Sequence, residues 1–159
     1  MSQVQRASFE VFADYHQFYV QDGDLNPPAP EDWTDDDVAN RVKVAQNVVV
    51  VCPIRDMNVP VEIGLHEFKP DEAAEAWDHI VHCSVSIPTG HLQVHECTGG
   101  PVLDWHIKPG DYEILILFGG LATTSDDELC GQDHYKVLVW PGTLVPLTVA
   151  RSWPTEAEA

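Results

Sequence analysis

Hydrophobic positions along this chain recur in short stretches that alternate with polar positions, which is the period of β-strands rather than of an amphipathic helix. The two longest apolar runs, NVVVVCPI at 47–54 and YEILILF at 112–118, have the length of a strand. Run 47–54 carries β-branched residues on both faces, so it predicts a central, buried strand. No run approaches the roughly 18 consecutive apolar residues of a membrane-spanning helix. The pattern therefore predicts a mainly β protein.

Turn-forming residues separate the predicted strands at short intervals. Residues 8–21, rich in aromatic and β-branched side chains, predict one strand with a bulge or with burial on both faces. Further strands are predicted at 47–54, at 59–68, in both arms of 79–96, on both sides of the turn 108–111, at 134–140 and within 142–150. About eight strands without βαβ alternation predict an all-β fold, an antiparallel β-sandwich with one or two short helices. We expect residues 1–154 to form a single domain and 155–159 a disordered tail.

One short helix is predicted by its start signal. Thr34 precedes three aspartates, Asp35, Asp36 and Asp37. A threonine N-cap followed by acids in the first turn favours a helix, because the acids complement the helix dipole. We expect this helix to run from about residue 35 into the forties, whereas residues 69–80 form either helical turns or a loop.

Residues 79–96 predict a hairpin with Pro88 and Thr89 in its turn. In that register His82 would face His95, with His91 nearby, so two imidazoles could share a metal ion. An ordinary polar hairpin face is the simpler interpretation. We therefore predict no cofactor and no metal, and keep a site on His82, His91 and His95 as an alternative.

The cysteines and the N-terminus bear on the compartment. Cys52, Cys83, Cys97 and Cys130 are widely spaced and include no CxxC pair. The N-terminal residues do not match a secretory signal. Buried free thiols in a cytoplasmic protein are therefore predicted, rather than disulfides or a zinc finger.

Charge limits the choice of partner. The chain has 8 basic and 26 acidic residues, which gives a net charge of −18. Repulsion from phosphate makes direct binding of nucleic acid unfavourable at this charge, so we expect a basic partner. The alternative is that the acidity serves solubility alone.

The acids form three clusters, two of them beside a tryptophan, and a large aromatic side chain inside a charged rim is typical of a protein-binding surface. The clusters are Glu31, Asp32, Asp35, Asp36 and Asp37 around Trp33; Glu67, Asp71, Glu72, Glu75 and Asp78 around Trp77; and Asp126, Asp127, Glu128 and Asp133. No GxSxG, P-loop or HExxH motif occurs, and no acid lies in an apolar stretch that would raise its pKa. We therefore predict a binding protein with no catalytic residues.

Five segments occur in the order seen in one known family. YHQFYV, DWTDDDV, NVVVV, HLQVHE and KPGDYEI, within residues 9–140, resemble the competence protein J family of inhibitors of bacterial DNA-entry nucleases. The resemblance implies a cytoplasmic protein that binds a nonspecific nuclease and silences it without turnover.

We therefore hypothesise an acidic inhibitor that blocks the basic substrate groove of such a nuclease. The expected partner-binding residues are Glu31, Asp32, Trp33, Asp35, Asp36 and Asp37 as the main patch, with Asp126, Asp127 and Glu128 as the second. Two alternatives stay open. One is an immunity protein against another basic toxin, and the other is a sandwich that binds a carbohydrate or small ligand.

Overall fold

The computed structural model describes residues 3–154, so the predicted tail at 155–159 lies outside the described residues. In chain order the elements are β1 (Gln3–Phe12), β2 (Phe18–Asp22), α1 (Asp35–Asn40), β3 (Val42–Ala45), β4 (Val48–Val51), β5 (Asn58–His66), β6 (His79–Ile87), β7 (His91–Glu96), β8 (Pro101–His106), β9 (Gly110–Gly119), β10 (His134–Pro141) and β11 (Thr148–Arg151). Three short 3₁₀ turns lie at Asp14–His16, Ala74–Ala76 and Leu121–Thr123. The predicted all-β class is confirmed.

The strands form two sheets. The six-stranded sheet has the order β1-β5-β10-β9-β6-β11, and the five-stranded sheet has the order β3-β4-β2-β7-β8. Residues 3–154 thus contain eleven strands where about eight were expected. The pairing of β10 with β5 is parallel, whereas the other pairings described are antiparallel.

The main core lies between the two sheets, where alternate residues of each strand meet. Val49 and Val51 of β4 belong to the same buried cluster as Ile114 and Ile116 of β9. The four valines of β4 are fully buried or nearly so, because the other pair, Val48 and Val50, forms a second buried cluster with Tyr19 on the outer face of the sheet. The prediction of a buried strand within 47–54 is therefore confirmed for Val48–Val51, and residues 52–54 lie beyond its end.

Residues 8–21 form two strands instead of one. The chain leaves β1 of the six-stranded sheet, passes through Asp14–His16, and enters β2 of the five-stranded sheet. Tyr15 and His16 both have positive φ, at 58° and 57°. This left-handed backbone produces the change of direction between the sheets, and the sequence pattern does not reveal it.

The predicted hairpin at 79–96 is wrong. Strand β6 pairs with β9 and β11 in the six-stranded sheet, whereas β7 pairs with β2 and β8 in the other sheet. The connection is held by Asp22, which is fully buried and accepts hydrogen bonds from the Thr89 backbone N–H (2.9 Å) and hydroxyl (2.7 Å). Burial by itself raises the pKa of Asp22, but the hydrogen bonds from Thr89, Leu25 and Asp24 outweigh it and hold the pKa below its usual value.

The three histidines of the metal alternative are consequently apart. His82 contacts Glu113 (2.9 Å) and His95 contacts the Glu96 carbonyl (2.6 Å). His91 lies between two carboxylates, Asp104 (2.6 Å) and Asp24 (2.9 Å), whose hydrogen bonds raise its pKa. Within residues 3–154 no three potential ligands are grouped for a metal ion.

The cysteines are free thiols, as expected, but they are not uniformly buried. Cys83 is buried, Cys52 and Cys97 are half-buried, and Cys130 is exposed. Burial raises the pKa of Cys52 and Cys83 to about 12, so neither thiol is a nucleophile at neutral pH. Within residues 3–154 the α-helix has only six residues, and no helical segment there reaches the length and apolar character of a membrane span.

His79 joins the end of α1 to the C-terminal segment. Its ring is fully buried, its Nε2–H donates to the Asn40 carbonyl (2.7 Å), and its Nδ1 accepts from the Trp153 backbone N–H (3.0 Å). The His79 ring also packs edge-to-face against Phe118, with ring centroids 4.9 Å apart. Burial lowers the pKa of His79. The hydrogen bond to the Asn40 carbonyl opposes this shift, and the nearby charge of Arg41 adds to it.

We expect His79 to make the fold sensitive to acid. The unfolded chain binds a proton at this histidine near pH 6.5 and the native state does not, so the free energy of unfolding falls as pH drops below about 6.5. Urea unfolding at pH 7, 6 and 5 measures this slope, and His79→Gln should reduce it. His66, whose pKa burial lowers, and His91, with its raised pKa, are present in both proteins and cancel in the comparison. An unchanged slope in the variant would contradict the assignment.

Candidate protein-binding site

Helix α1 begins with Thr34 as its N-cap, as the sequence predicts, and the structure shows that the cap is a full capping box. The Thr34 hydroxyl accepts from the Asp37 backbone N–H (3.1 Å), and the Asp37 carboxylate accepts from the Thr34 backbone N–H (3.0 Å). The same carboxylate forms an ion pair with Lys43 at 2.6 Å. That bond, followed by the bonds to Thr34, lowers the pKa of Asp37 although its partial burial opposes the shift. Asp37 therefore has a structural role, and Asp35 and Asp36 are the exposed acids of this turn.

We expect Thr34→Ala to lower the free energy of unfolding by about 1 kcal/mol, because the Asp37 backbone N–H loses its side-chain acceptor at the start of the helix. Chemical denaturation measures the loss. Thr34→Ser is the matched control, since serine keeps a hydroxyl at the N-cap position. A loss for Thr34→Ser as large as the loss for Thr34→Ala would contradict the capping account.

Trp33 is half-buried and anchors the loop that precedes α1. Its Nε1–H donates to the Pro30 carbonyl (3.1 Å), and the indole packs against Tyr19, Val48 and Val50 on the outer face of the five-stranded sheet. The Lys43 ammonium lies 5.8 Å from the ring centroid. Trp33 is thus partly a core residue and partly a surface residue.

Beside Trp33 the surface opens into a cavity of about 350 Å³, which we call the α1 cavity. Its lining comes from four separate parts of the chain. The lining residues are Tyr15, His16, Gln17, Trp33, Val38, Arg41, Cys52, Pro53, Ile54 and Glu128. Two of the apolar side chains, Tyr15 and Val38, remain 68% and 55% exposed. A concave apolar surface with exposed side chains at its rim is typical of a binding site.

Backbone strain is concentrated at the α1 cavity. Six non-glycine residues between 3 and 154 have positive φ, and four of them line this cavity: Tyr15, His16, Arg41 and Glu128. Such conformations cost free energy and are found preferentially at functional sites, where the surrounding structure holds them in place.

One residue of each predicted patch lines this cavity, Trp33 from the first and Glu128 from the second. In the loop 124–132, Asp127 accepts from the Ser125 hydroxyl (2.6 Å) and the Leu129 backbone N–H (3.1 Å), and these bonds lower its pKa. Asp127 therefore shapes the loop. Asp126 and Glu128 are exposed, and Glu128 shares the lining of the α1 cavity with residues of α1 and of the loop before it.

Asp133, expected on the acidic surface, is fully buried instead. It forms an ion pair with Arg55 at 2.5 Å and accepts a hydrogen bond from the Tyr135 hydroxyl at 2.6 Å. The Tyr135 oxygen in turn accepts from the Ile54 backbone N–H (2.9 Å), and burial raises the pKa of Tyr135. Because Ile54 lines the α1 cavity, this network fixes the floor of the cavity to the start of β10.

The cluster around Trp77 lies on the other side of the sandwich. Trp77 packs against Leu117 and Leu138 on the outer face of the six-stranded sheet. Glu72 is bound internally, by the Trp77 Nε1–H (3.2 Å) and by Lys136 (3.2 Å). The three predicted clusters therefore do not form one surface.

Sequence reasoning missed the apolar part of the site. Tyr15 and Val38 lie in segments that predict a strand and a helix, and nothing in either pattern indicates an exposed rim. The chain brings them together with Cys52 only through the change of sheets at Tyr15 and His16.

Comparison with known proteins shows the fold. No protein-family model matches the chain, and no curated protein matches it in sequence. Among solved structures, ComJ from Bacillus subtilis, described as an inhibitor of the DNA degrading activity of NucA, superposes with a TM-score of 0.67 at 18% identity. The match covers 88% of this chain and 97% of ComJ. A structure described as crocagin biosynthetic gene J gives a TM-score of 0.59 at 17% identity, covering 90% of this chain and 100% of the other. The resemblance to competence protein J is confirmed for the fold.

Proposed function

We propose that this protein inhibits a DNA-degrading nuclease by binding it, without catalysing a reaction. The observation that carries this proposal is the fold shared with ComJ over nearly the full length of both chains. One fold can host several functions, and this fold also occurs in a protein described as the product of a biosynthetic gene. The surface of this chain must therefore supply the rest of the argument.

Electrostatics favours a nuclease as the partner. An enzyme that grips the phosphate backbone of DNA without regard to sequence needs a basic groove. A protein of net charge −18 is attracted to such a groove and repelled from the nucleic acid itself. Carboxylates that occupy the groove imitate the charge of phosphate and also suit a divalent ion bound there. Inhibition would then be stoichiometric competition with DNA in the cytoplasm.

The contact face we assign is the rim of the α1 cavity. Asp35, Asp36, Asp126 and Glu128 are exposed there or in the segments beside it, and none has an ion-pair partner among residues 3–154. Exposed apolar side chains next to free carboxylates match the usual arrangement of an anchor inside a charged rim. Glu31, Asp32 and Trp33 extend the face, whereas Asp37 and Asp127 support it from within.

A second candidate function is favoured by the same cavity. Its aromatic lining and its volume of about 350 Å³ fit a small ligand as well as a protein side chain. A basic toxin other than a nuclease would also meet the electrostatic requirement.

The direct test uses DNA degradation as its readout. Lysate of the source organism is passed over the immobilised protein, and proteins eluted with increasing salt are assayed for hydrolysis of plasmid DNA. We expect a retained DNA-degrading activity that one molar equivalent of the free protein abolishes. Retention without such activity would favour the toxin alternative, and inhibition that needs a large molar excess would contradict stoichiometric binding.

A further inference from the structure

The lining of the α1 cavity combines two aromatic side chains with a single carboxylate. Tyr15 is largely exposed, and Trp33 presents the part of its indole that the core does not cover. Glu128 supplies the carboxylate, for which the structure shows no ion-pair partner between residues 3 and 154. Aromatic faces and an unpaired carboxylate are together complementary to a cation with a flat, weakly hydrated head group.

Trp33 already binds one cation. The Lys43 ammonium lies 5.8 Å from its ring centroid, held there by Asp37 at 2.6 Å and by Asp32 at 3.7 Å. Lys43 does not belong to the cavity lining, so this internal cation does not fill the cavity. The indole N–H is also used internally, by the Pro30 carbonyl, which leaves the π surface of the ring as its means of binding a partner.

Arg41 is the cation in the cavity lining, and it is engaged elsewhere. Its backbone caps α1 with φ at 60°, and its Nη2 lies 3.3 Å from the Pro154 carbonyl and 3.5 Å from the Trp153 carbonyl. The guanidinium thus ties the end of the helix to the C-terminal segment. The Nη2 group therefore donates to the C-terminal segment and not to Glu128.

We propose that the α1 cavity receives one arginine side chain of the basic partner, which deepens the proposed function and rests on it. The guanidinium lies against Tyr15 and Trp33 and pairs with the Glu128 carboxylate. An arginine fits better than a lysine, because its planar head group stacks on aromatic rings and loses less hydration when it is partly buried. A purely apolar side chain would leave Glu128 partly desolvated and unpaired.

The left-handed backbone at the cavity favours this mode of binding. Tyr15, His16 and Glu128 owe their orientation to strained φ values that the native fold maintains in the absence of a partner. The backbone that carries these side chains is therefore positioned before binding, so little backbone conformational entropy is lost on association.

The test uses small probes, so that it does not depend on the identity of the nuclease. The ¹⁵N-labelled full-length protein is titrated with N-acetyl-arginine amide, N-acetyl-lysine amide and N-acetyl-citrulline amide, the last being the neutral counterpart of arginine. We expect shifts at the Trp33 indole N–H and the amides of Cys52 and Ile54, with the arginine probe binding about fivefold more tightly than citrulline. Glu128→Gln should remove most of that preference. Glu75→Gln, which changes an exposed glutamate far along the chain, should keep it.

Each outcome separates this proposal from the proposed function. Equal binding of arginine and citrulline, or shifts at other residues, overturns the arginine site. If a nuclease is nevertheless inhibited stoichiometrically, the inhibitor function stands without it. Arginine-selective shifts that Glu128→Gln abolishes support the site, even where no nuclease is inhibited, and the partner is then a basic protein of another kind.

Discussion

Asp133→Ala is expected to lower the free energy of unfolding by about 3–5 kcal/mol, the largest loss that we predict for a single substitution. Arg55 and Asp133 are both buried, and their ion pair of 2.5 Å is joined by the Tyr135 hydroxyl. Removing the carboxylate leaves the Arg55 charge inside the protein without its partner and the Tyr135 hydroxyl without its acceptor. Urea unfolding followed by circular dichroism measures the loss.

The control is an ion pair on the surface. Arg6 and Glu62 are 3.4 Å apart, and their side chains are 59% and 33% exposed. Glu62→Gln should therefore cost less than about 1 kcal/mol. Similar losses of unfolding free energy for the two variants would show that burial does not set the contribution of the Arg55–Asp133 pair to stability. Because the same network holds Ile54, any folded Asp133→Ala protein should also show shifted amide resonances around the α1 cavity.

The second large effect concerns association with the nuclease. The double variant Asp35→Asn, Asp36→Asn should lower the association rate by about tenfold at low salt, with a much smaller difference at 0.5 M salt. Both carboxylates are exposed at the first turn of α1, and neither caps the helix, since Thr34 and Asp37 do so. Stopped-flow or surface-based binding kinetics at several salt concentrations provide the measurement. Leaving Asp37 intact keeps the helix start and the Lys43 pair in place.

A matched variant distinguishes the effect of where the charges lie from the effect of the net charge of the protein on the association rate. The double variant Asp71→Asn, Glu75→Gln also removes two negative charges, but from the cluster around Trp77 on the opposite side of the sandwich. We expect its association rate to stay within about twofold of the unmodified protein. Equal slowing by both double variants would mean that net charge alone attracts the partner, and the α1 face would lose its assigned role.

The sequence determined the local structure of this protein. Alternation and β-branched residues predicted β4 and the strands around it, and Thr34 followed by three aspartates predicted the start of α1. These signals depend on residues within a few positions of one another, so they are readable without knowledge of the fold. The same holds for the sandwich class, which follows from many short strands without intervening helices. The resemblance to competence protein J was likewise found in short segments, and the shared fold agrees with it.

Tertiary structure decided which sheet each strand joins. The Pro88–Thr89 turn is equally compatible with a hairpin and with a crossing between sheets, and the buried carboxylate of Asp22, 67 residues away, holds the crossing that occurs. The prediction that His82 faces His95 failed for this reason. A turn sequence restricts the backbone locally, but the pairing of the strands it connects depends on contacts formed across the whole chain.

Tertiary structure also decided the role of each carboxylate. Asp126, Asp127 and Asp133 belong to one acidic stretch, yet Asp126 is exposed, Asp127 shapes its own loop, and Asp133 is buried. The difference for Asp133 comes from Arg55, 78 residues away in the sequence. Composition shows how much negative charge the chain carries, whereas burial and ion pairing decide which charges remain at the surface for a partner, because both depend on neighbours that are distant along the chain.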